Sequence, residues 1–238
     1  MTLAASLIRS FAETFFGYGS WTAPYWFVGM EEGGVASIEE FENRVHVWDD
    51  DGRPALVDLV EFHTKIGVEE WFKDAPPLQR TWRSLIRAVQ AATGRDTSPE
   101  SLREYQAHRL GRINGETALL ELLPLPNPTT KHWIYESLGI DAFSTRKKYV
   151  KALRSSRADQ LIARIRGEKP RAVVFYGNAA FWRPKLGLQR VAPQIDTGRW
   201  GPTLVIATRH PAARGGASNQ HWDAIASTIQ SWSSQPSK

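Results

Sequence analysis

Tyr25-Trp26-Phe27-Val28-Gly29 is a continuous apolar run, and Met30-Glu31-Glu32-Gly33-Gly34 follows it without a break. An apolar run of this length, closed by polar residues and glycines, suits a strand buried on both faces of a parallel sheet. Three more runs share the pattern: Ala118-Leu119-Leu120-Glu121-Leu122-Leu123, Ala172-Val173-Val174-Phe175-Tyr176 and Leu204-Val205-Ile206-Ala207. The first of these three also suits a helix, because Leu and Glu favour one. Helical periodicity marks 78–92, Ser98-Pro99-Glu100 is a start signal for a helix over 101–110, and 158–166 is amphipathic up to Gly167 and Pro170, which stop it. Strands alternating with helices predict an α/β fold whose parallel strands are joined by right-handed crossovers.

The chain has 238 residues, which suits one domain over 1–238 better than two. Its 42% hydrophobic and 23% charged residues are an ordinary globular balance. Ten Trp and ten Phe serve a core, or stack on bases where they lie near a basic surface. The net charge of +5 suits a polyanion such as DNA, and serves solubility equally well. With no Cys there is no disulfide, thiolate zinc site or Cys-held iron–sulfur cluster. Residues 1–17, interrupted by Arg9 and Glu13, read as an amphipathic helix and not as a signal peptide, and no apolar run is long enough to span a membrane. A cytoplasmic monomer with a frayed tail at 233–238 is the resulting expectation.

In a parallel α/β sheet, ligands bind beyond the carboxyl ends of the strands. The residues found there are Met30-Glu31-Glu32-Gly33-Gly34, then Glu121 with Pro124-Leu125-Pro126-Asn127-Pro128, then Gly177-Asn178, then Thr208-Arg209-His210-Pro211. Carboxylates, glycines, a His and several Arg therefore converge on one edge.

These loops resemble the uracil-DNA glycosylase superfamily. Its first motif follows the first strand and reads, in different branches, Gly-Gln-Asp-Pro-Tyr, Gly-Met-Asn-Pro-Gly or Gly-Glu-Ala-Pro-Gly; here the stretch is Gly29-Met30-Glu31-Glu32-Gly33. Its second motif follows the last strand and reads His-Pro-Ser; here it is His210-Pro211-Ala212. The single-strand-selective branch is the most similar, with Gly-Met in the first motif and an Arg after the second, matched by Arg214. The resemblance runs from Trp26 to about Trp222. It implies a three-layer α/β/α sandwich with a central four-stranded parallel sheet. It also implies a glycosylase without metal or other cofactor that flips a base from DNA and leaves an abasic site.

The resemblance assigns roles residue by residue. Glu31 stands where a catalytic Asp or Asn stands in the family, to stabilise positive charge on the sugar or orient water; otherwise it is a solvated loop acid. Glu32, in place of Pro, either shares that role or is exposed, and exposure is the expectation. His210 matches the His that donates to the departing base. Met30 and Gly33 fall on the base side of the first motif, and Gly33 removes the wall that a Tyr raises against C5 substituents. Glu121 takes the place of the Asn that reads uracil. An ionised Glu only accepts hydrogen bonds, so it disfavours O4 and favours an amino group. Phe41 and Trp48, with His46, are candidates to stack on the base, or else core; His132 and Trp133 are further candidates to line the pocket. Arg214 is the candidate to fill the gap left by a flipped base, with Gly215 and Gly216 allowing close approach and Arg209 beside them. Lys147 and Lys148, in the basic run that begins at Arg146, track phosphates or form a solvated helix face. Three readings stay open: a glycosylase for a 5-substituted cytosine, such as the hydroxymethylated or glucosylated cytosine of phage DNA, acting in phage defence; a repair glycosylase for uracil or hydroxymethyluracil; and a non-catalytic DNA-binding module of the same fold.

Overall fold

The computed structural model describes residues 3–129, 132–213 and 218–233. Four strands coincide with the apolar runs: β2 (Tyr25–Glu31), β4 (Thr117–Leu123), β5 (Ala172–Tyr176) and β8 (Thr203–Thr208). They lie side by side, and each neighbouring pair is parallel. Every residue of β5 and β8 is buried, so both faces of the sheet are covered there. The stretch at 118–123 is strand, not helix, because it pairs along its length with β2.

The fold is α/β, but its sheet exceeds the four strands expected. Two-residue strands β1 (Gly17–Tyr18) and β3 (Leu56–Val57) extend it on one side. On the other side the antiparallel hairpin β6 (Gln189–Ala192) and β7 (Ile195–Trp200) extends it. The order across the eight-stranded mixed sheet is β3-β1-β4-β2-β5-β8-β7-β6. Two residues are too few to show a period, and β6 is mostly exposed, so neither extension leaves an apolar run in the sequence.

Helices connect and cover these strands: α1 (Ala5–Thr14), α2 (Ile38–Asp50), α3 (Leu59–Lys65), α4 (Arg80–Ala92), α5 (Pro99–His108), α6 (Arg146–Glu168), α7 (Ala179–Leu186) and α8 (Asn219–Ser233). Local chemistry fixes the ends that matter. The Ser37 side chain accepts from the Glu40 N–H, while the Glu40 carboxylate accepts from the Ala36 N–H, a reciprocal cap that starts α2. Ser98 caps α5 with Pro99 in its first turn, as its start signal predicts. No helix among the described residues is long and apolar enough to cross a membrane.

Helix α6 begins twelve residues before the expected 158, and the reason is one residue. Its buried positions Tyr149, Leu153, Arg157, Leu161 and Ile165 recur every four residues, so an arginine sits in the apolar stripe and hides it. The Arg157 guanidinium is fully buried and bonds to no carboxylate among the described residues. Instead Nε donates to the carbonyl of Leu122, Nη1 to Ala12 and Glu13, and Nη2 to Phe15 and Glu121, at 2.7–3.3 Å. Its Cζ lies 4.0 Å from the Phe16 ring centroid, over the ring. Burial lowers its pKa to about 10, still charged at neutral pH. Arg157 thus joins α6, the end of α1 and the last turn of β4 through bonds that stronger-than-neutral donors make. Replacing Arg157 by Met leaves those carbonyls buried without donors. The free energy of unfolding in urea is expected to fall by about 3 kcal/mol or more, with Arg157→Lys recovering only part of it.

Candidate functional site

The pleat of the sheet places the site. Gly29 and Glu31 share one face of β2 because strand side chains alternate. Glu121 of β4 is the register partner of Gly29 and so shares that face. Val28 pairs with Phe175, which puts Tyr176, the last residue of β5, on the same face again. Side chains from β4 and β5 therefore meet above the central strand, and only a glycine there lets them. A Cβ on Gly29 would collide with both carboxyl oxygens of Glu121 and with the Tyr176 hydroxyl. The hydroxyl donates to Glu121 Oε1 at 3.3 Å. The other oxygen, Oε2, is buried with no hydrogen-bond partner among the described residues.

His210 completes this group. Its ring centroid lies 5.4 Å from that of Tyr176, and its Cβ faces the left-handed turn at Gly177 (φ +85°) at 3.6 Å from where a side chain would begin. The Ala212 N–H donates to His210 Nδ1 at 3.0 Å. An Nδ1 that accepts leaves the proton on Nε2, so the neutral ring offers Nε2–H as a donor. Burial, and then the charge of Arg80, lower the His210 pKa and favour that neutral ring.

Glu31 is more enclosed than a loop acid would be. Its side chain is 8% exposed, and Oε2 accepts both Nε and Nη2 of Arg146, at 3.1 and 2.7 Å. Oε1 is buried without a hydrogen-bond partner among the described residues. Burial raises the Glu31 pKa, and Arg146 pulls it back only in part. Glu32, expected to be exposed, is instead held on both oxygens: Tyr18 donates to Oε1 at 2.8 Å and Arg44 to Oε2 at 2.9 Å, while Arg44 also donates to Tyr18 at 2.7 Å. Glu32 is half-buried and held in place because α2 supplies the Arg44 guanidinium beside it. Burial opposes the Arg44 charge, but Glu32 and Tyr18 more than offset that and raise its pKa. The Glu32 carbonyl also accepts from the Asn127 N–H at 2.9 Å, tying the loop after β2 to the loop after β4.

Two stacking candidates are corrected. Phe41 and Trp48 are fully buried on the inner face of α2 and offer no face to a base. Phe41 packs on Tyr135 at 4.9 Å and on Phe11 at 6.0 Å; Trp48 packs on Phe11 at 5.1 Å and donates its Nε1–H to the Pro54 carbonyl. Their spacing of seven is a core stripe. Trp133 is half-buried against Tyr135 and Tyr149, and His132 is exposed. Met30 is half-buried, with Asn178 Nδ2 3.8 Å from its sulfur. Gly33 is exposed, and no described atom lies within 4 Å of where its Cβ would stand. Arg209 is half-buried beside His221, whose pKa its charge helps burial to lower. Lys147 and Lys148 are exposed on the first turn of α6, and Lys148 pairs with Asp141 at 2.6 Å. Arg214, Gly215 and Gly216 lie outside the described residues.

Tyr176, Arg44 and the Glu31–Arg146 pair are site features that the sequence reading missed. For Tyr176 the signal was present: it is the last strand residue before Gly177, at the edge where ligands bind. Among the described residues no three His, Asp or Glu side chains group to hold a metal ion.

No protein-family model and no curated protein matches this chain.

The state of Glu121 departs from the ionised acceptor expected. Burial, followed by the neighbouring Glu32 charge, raises its pKa well above the ordinary 4.5. The native carboxyl therefore holds its proton more tightly than the unfolded one. Its contribution to stability is complete below pH about 4.5 and is lost as pH rises from there through the native value. Glu121→Gln removes that loss, so its stability relative to wild type is expected to climb with pH above about 4.5. Urea unfolding of both proteins between acid and neutral pH measures this; parallel curves would show an unshifted carboxyl.

Proposed function

We propose that this protein is a DNA N-glycosylase that accepts a flipped-out pyrimidine, with 5-substituted cytosine as the first candidate. The observation that carries the reading is that Tyr176, at the carboxyl end of β5, touches both Glu121 of β4 and His210 after β8, with Glu31 on the same sheet face at the end of β2, which lies between β4 and β5. The four contiguous parallel strands, covered on both faces, agree with the central sheet of the uracil-DNA glycosylase superfamily that the motifs resemble.

Each group suits one demand of the reaction. Breaking an N-glycosidic bond builds positive charge on the sugar and negative charge on the base oxygen. The Glu31 carboxylate answers the first, and can orient the water that attacks the anomeric carbon. The Nε2–H of a neutral His210 answers the second. A flipped base leaves its stack at a cost of about a few kcal/mol, which contacts to its edge offset. Glu121 Oε2, buried and without a partner, is the group to make them. A protonated Glu121 offers one donor and one acceptor. The acceptor takes the amino proton of cytosine while the donor meets its N3. The open space at Gly33 leaves room for a substituent at C5.

The raised pKa of Glu121 also favours a second substrate. A neutral carboxyl matches uracil too, donating to O4 and accepting from N3–H; an ionised one repels O4. Preference between the two bases thus becomes a function of pH. Uracil release is expected to fall relative to modified cytosine as pH rises through the Glu121 ionisation, and Glu121→Asn to shift preference toward uracil at every pH.

Mass spectrometry of released bases tests the reading, with uracil-containing, unmodified and glucosylated hydroxymethylcytosine DNA as substrates. Glu31→Gln is expected to lower the release rate by about 10²-fold or more and His210→Ala by about 10²–10³-fold, with DNA still bound by both variants. DNA binding with no base release from any substrate would favour the non-catalytic module.

A further inference from the structure

One feature of the site is at odds with catalysis by Glu31. A guanidinium bonded to the carboxylate at 2.7 Å cancels the negative field that a positively charged sugar needs. Arg146 is not an integral part of the strand ends either. It is the first residue of α6, and its side chain stays 28% exposed while that of Glu31 is 8% exposed. Thr145 caps the helix, and its first turn carries Arg146, Lys147 and Lys148 with no acidic residue. Positive side chains at the positive end of a helix dipole are unfavourable unless an anion sits there. In the free protein Glu31 is that anion, and it is a poor fit: both Arg146 donors fall on Oε2, while Oε1 is left buried without a partner. A solvent-accessible backbone phosphate presents two non-bridging oxygens that a planar guanidinium binds in a two-point geometry, one donor to each.

We propose that Arg146 is a phosphate-operated latch on Glu31: it holds the carboxylate in the free protein, and passes to a backbone phosphate when a DNA strand binds. The latch rests on the reading of the protein as a DNA glycosylase. Transfer leaves Glu31 with two buried, unshared oxygens. It also removes the charge that pulls the carboxyl pKa down, so Glu31 becomes a stronger base once substrate is in place. Arg146 is a positioning residue in this scheme, and Glu31 the group that faces the sugar. The same contact keeps a buried carboxylate neutralised while no substrate is bound.

The test is the salt dependence of DNA affinity for the full chain. Fluorescence anisotropy with a short labelled DNA, single- and double-stranded, would follow wild type, Arg146→Gln, Arg146→Lys, Glu31→Gln and the double variant Arg146→Gln/Glu31→Gln. One lost phosphate contact lowers the slope of log affinity against log salt by about 0.9 on duplex or about 0.7 on single strand. Arg146→Gln is expected to show that loss and Arg146→Lys to keep the slope. Glu31→Gln is expected to bind several-fold more tightly than wild type, because no ion pair has to break. That gain is expected to vanish in the double variant. A gain that persists there is plain charge repulsion and overturns the latch, as does a slope unchanged in Arg146→Gln. Both results leave DNA binding intact. A wild-type protein that binds neither DNA overturns the DNA reading and the latch with it. Should Arg146→Gln fail to fold, the absence of tighter binding by Glu31→Gln alone overturns the proposal.

Discussion

Three carboxylates sit together at the ends of two neighbouring strands, and burying them is the constraint around which this end of the molecule is built. An unpaired ionised carboxylate in a protein interior is too costly to keep, so each must find a cation, a donor or a proton. The chain uses all three solutions. Glu32 takes Arg44 and Tyr18 and becomes a fixed structural anion. Glu31 takes Arg146, at the exposed head of a distant helix. Glu121 has no cation on its side chain; Tyr176 donates to one oxygen, and burial drives the carboxyl toward its protonated form. An ion pair with a buried arginine, an ion pair with a half-exposed one and a carboxyl shifted toward its protonated form thus arise from three copies of one side chain.

The geometry of that group depends on backbone that is hydrogen-bonded to its surroundings. Arg157 holds the carbonyls of Glu121 and Leu122, and the Glu121 N–H donates to the Phe16 carbonyl, so the residue that carries the buried carboxyl is fixed from both sides. Gly29 sets the distance between Glu121 and Tyr176 by having no side chain of its own. The loops then follow: Asn127 bonds to the Glu32 carbonyl, and the Tyr149 hydroxyl accepts from the Leu125 N–H. Sites held within small tolerances by such supporting bonds are what preorganised chemistry needs.

How much of this was legible follows from where each signal lies. The four inner strands were readable because burial on both faces turns them into unbroken apolar runs, with Glu121 as the single polar break. That break was itself the best pointer to the site, since a carboxyl in a buried strand needs a reason. The outer strands were not readable: a two-residue strand has no period, and β6 is an exposed edge. Helix α6 was cut short because its most buried charged residue, Arg157, resembles a surface arginine when only its type is seen. Phe41 and Trp48 failed as pocket candidates for the converse reason. Their spacing already marked the inner stripe of a helix, whereas Tyr176, with no pattern around it but its place at a strand end, reached the site. What a sequence cannot show is which acid meets which base across more than a hundred positions. Glu31 with Arg146 is such a pair, and so is Arg157 with the carbonyls of α1.

The unequal treatment of Glu31 and Glu121 bears directly on chemistry. Two carboxyl groups on one sheet face, in environments that separate their affinities for a proton, divide the work between an ionised and a neutral group. Burial raises both pKa values; Arg146 pulls that of Glu31 back in part, while Glu121, beside Glu32 and with no guanidinium bonded to its carboxyl, is driven well above the ordinary value. The assignment could not be reversed by moving either residue along its strand. Glu31 is the last residue of β2, where the α6 guanidinium reaches it. Glu121 lies two positions inside the end of β4, beneath the gap that Gly29 leaves, where a hydroxyl reaches it and no guanidinium among the described residues bonds its carboxyl. Depth along the strand therefore selects the partner: the shallow carboxyl meets a guanidinium and the deep one a hydroxyl, which in the proposed reading leaves the first to face charge developing on a sugar and the second to meet the edge of a base.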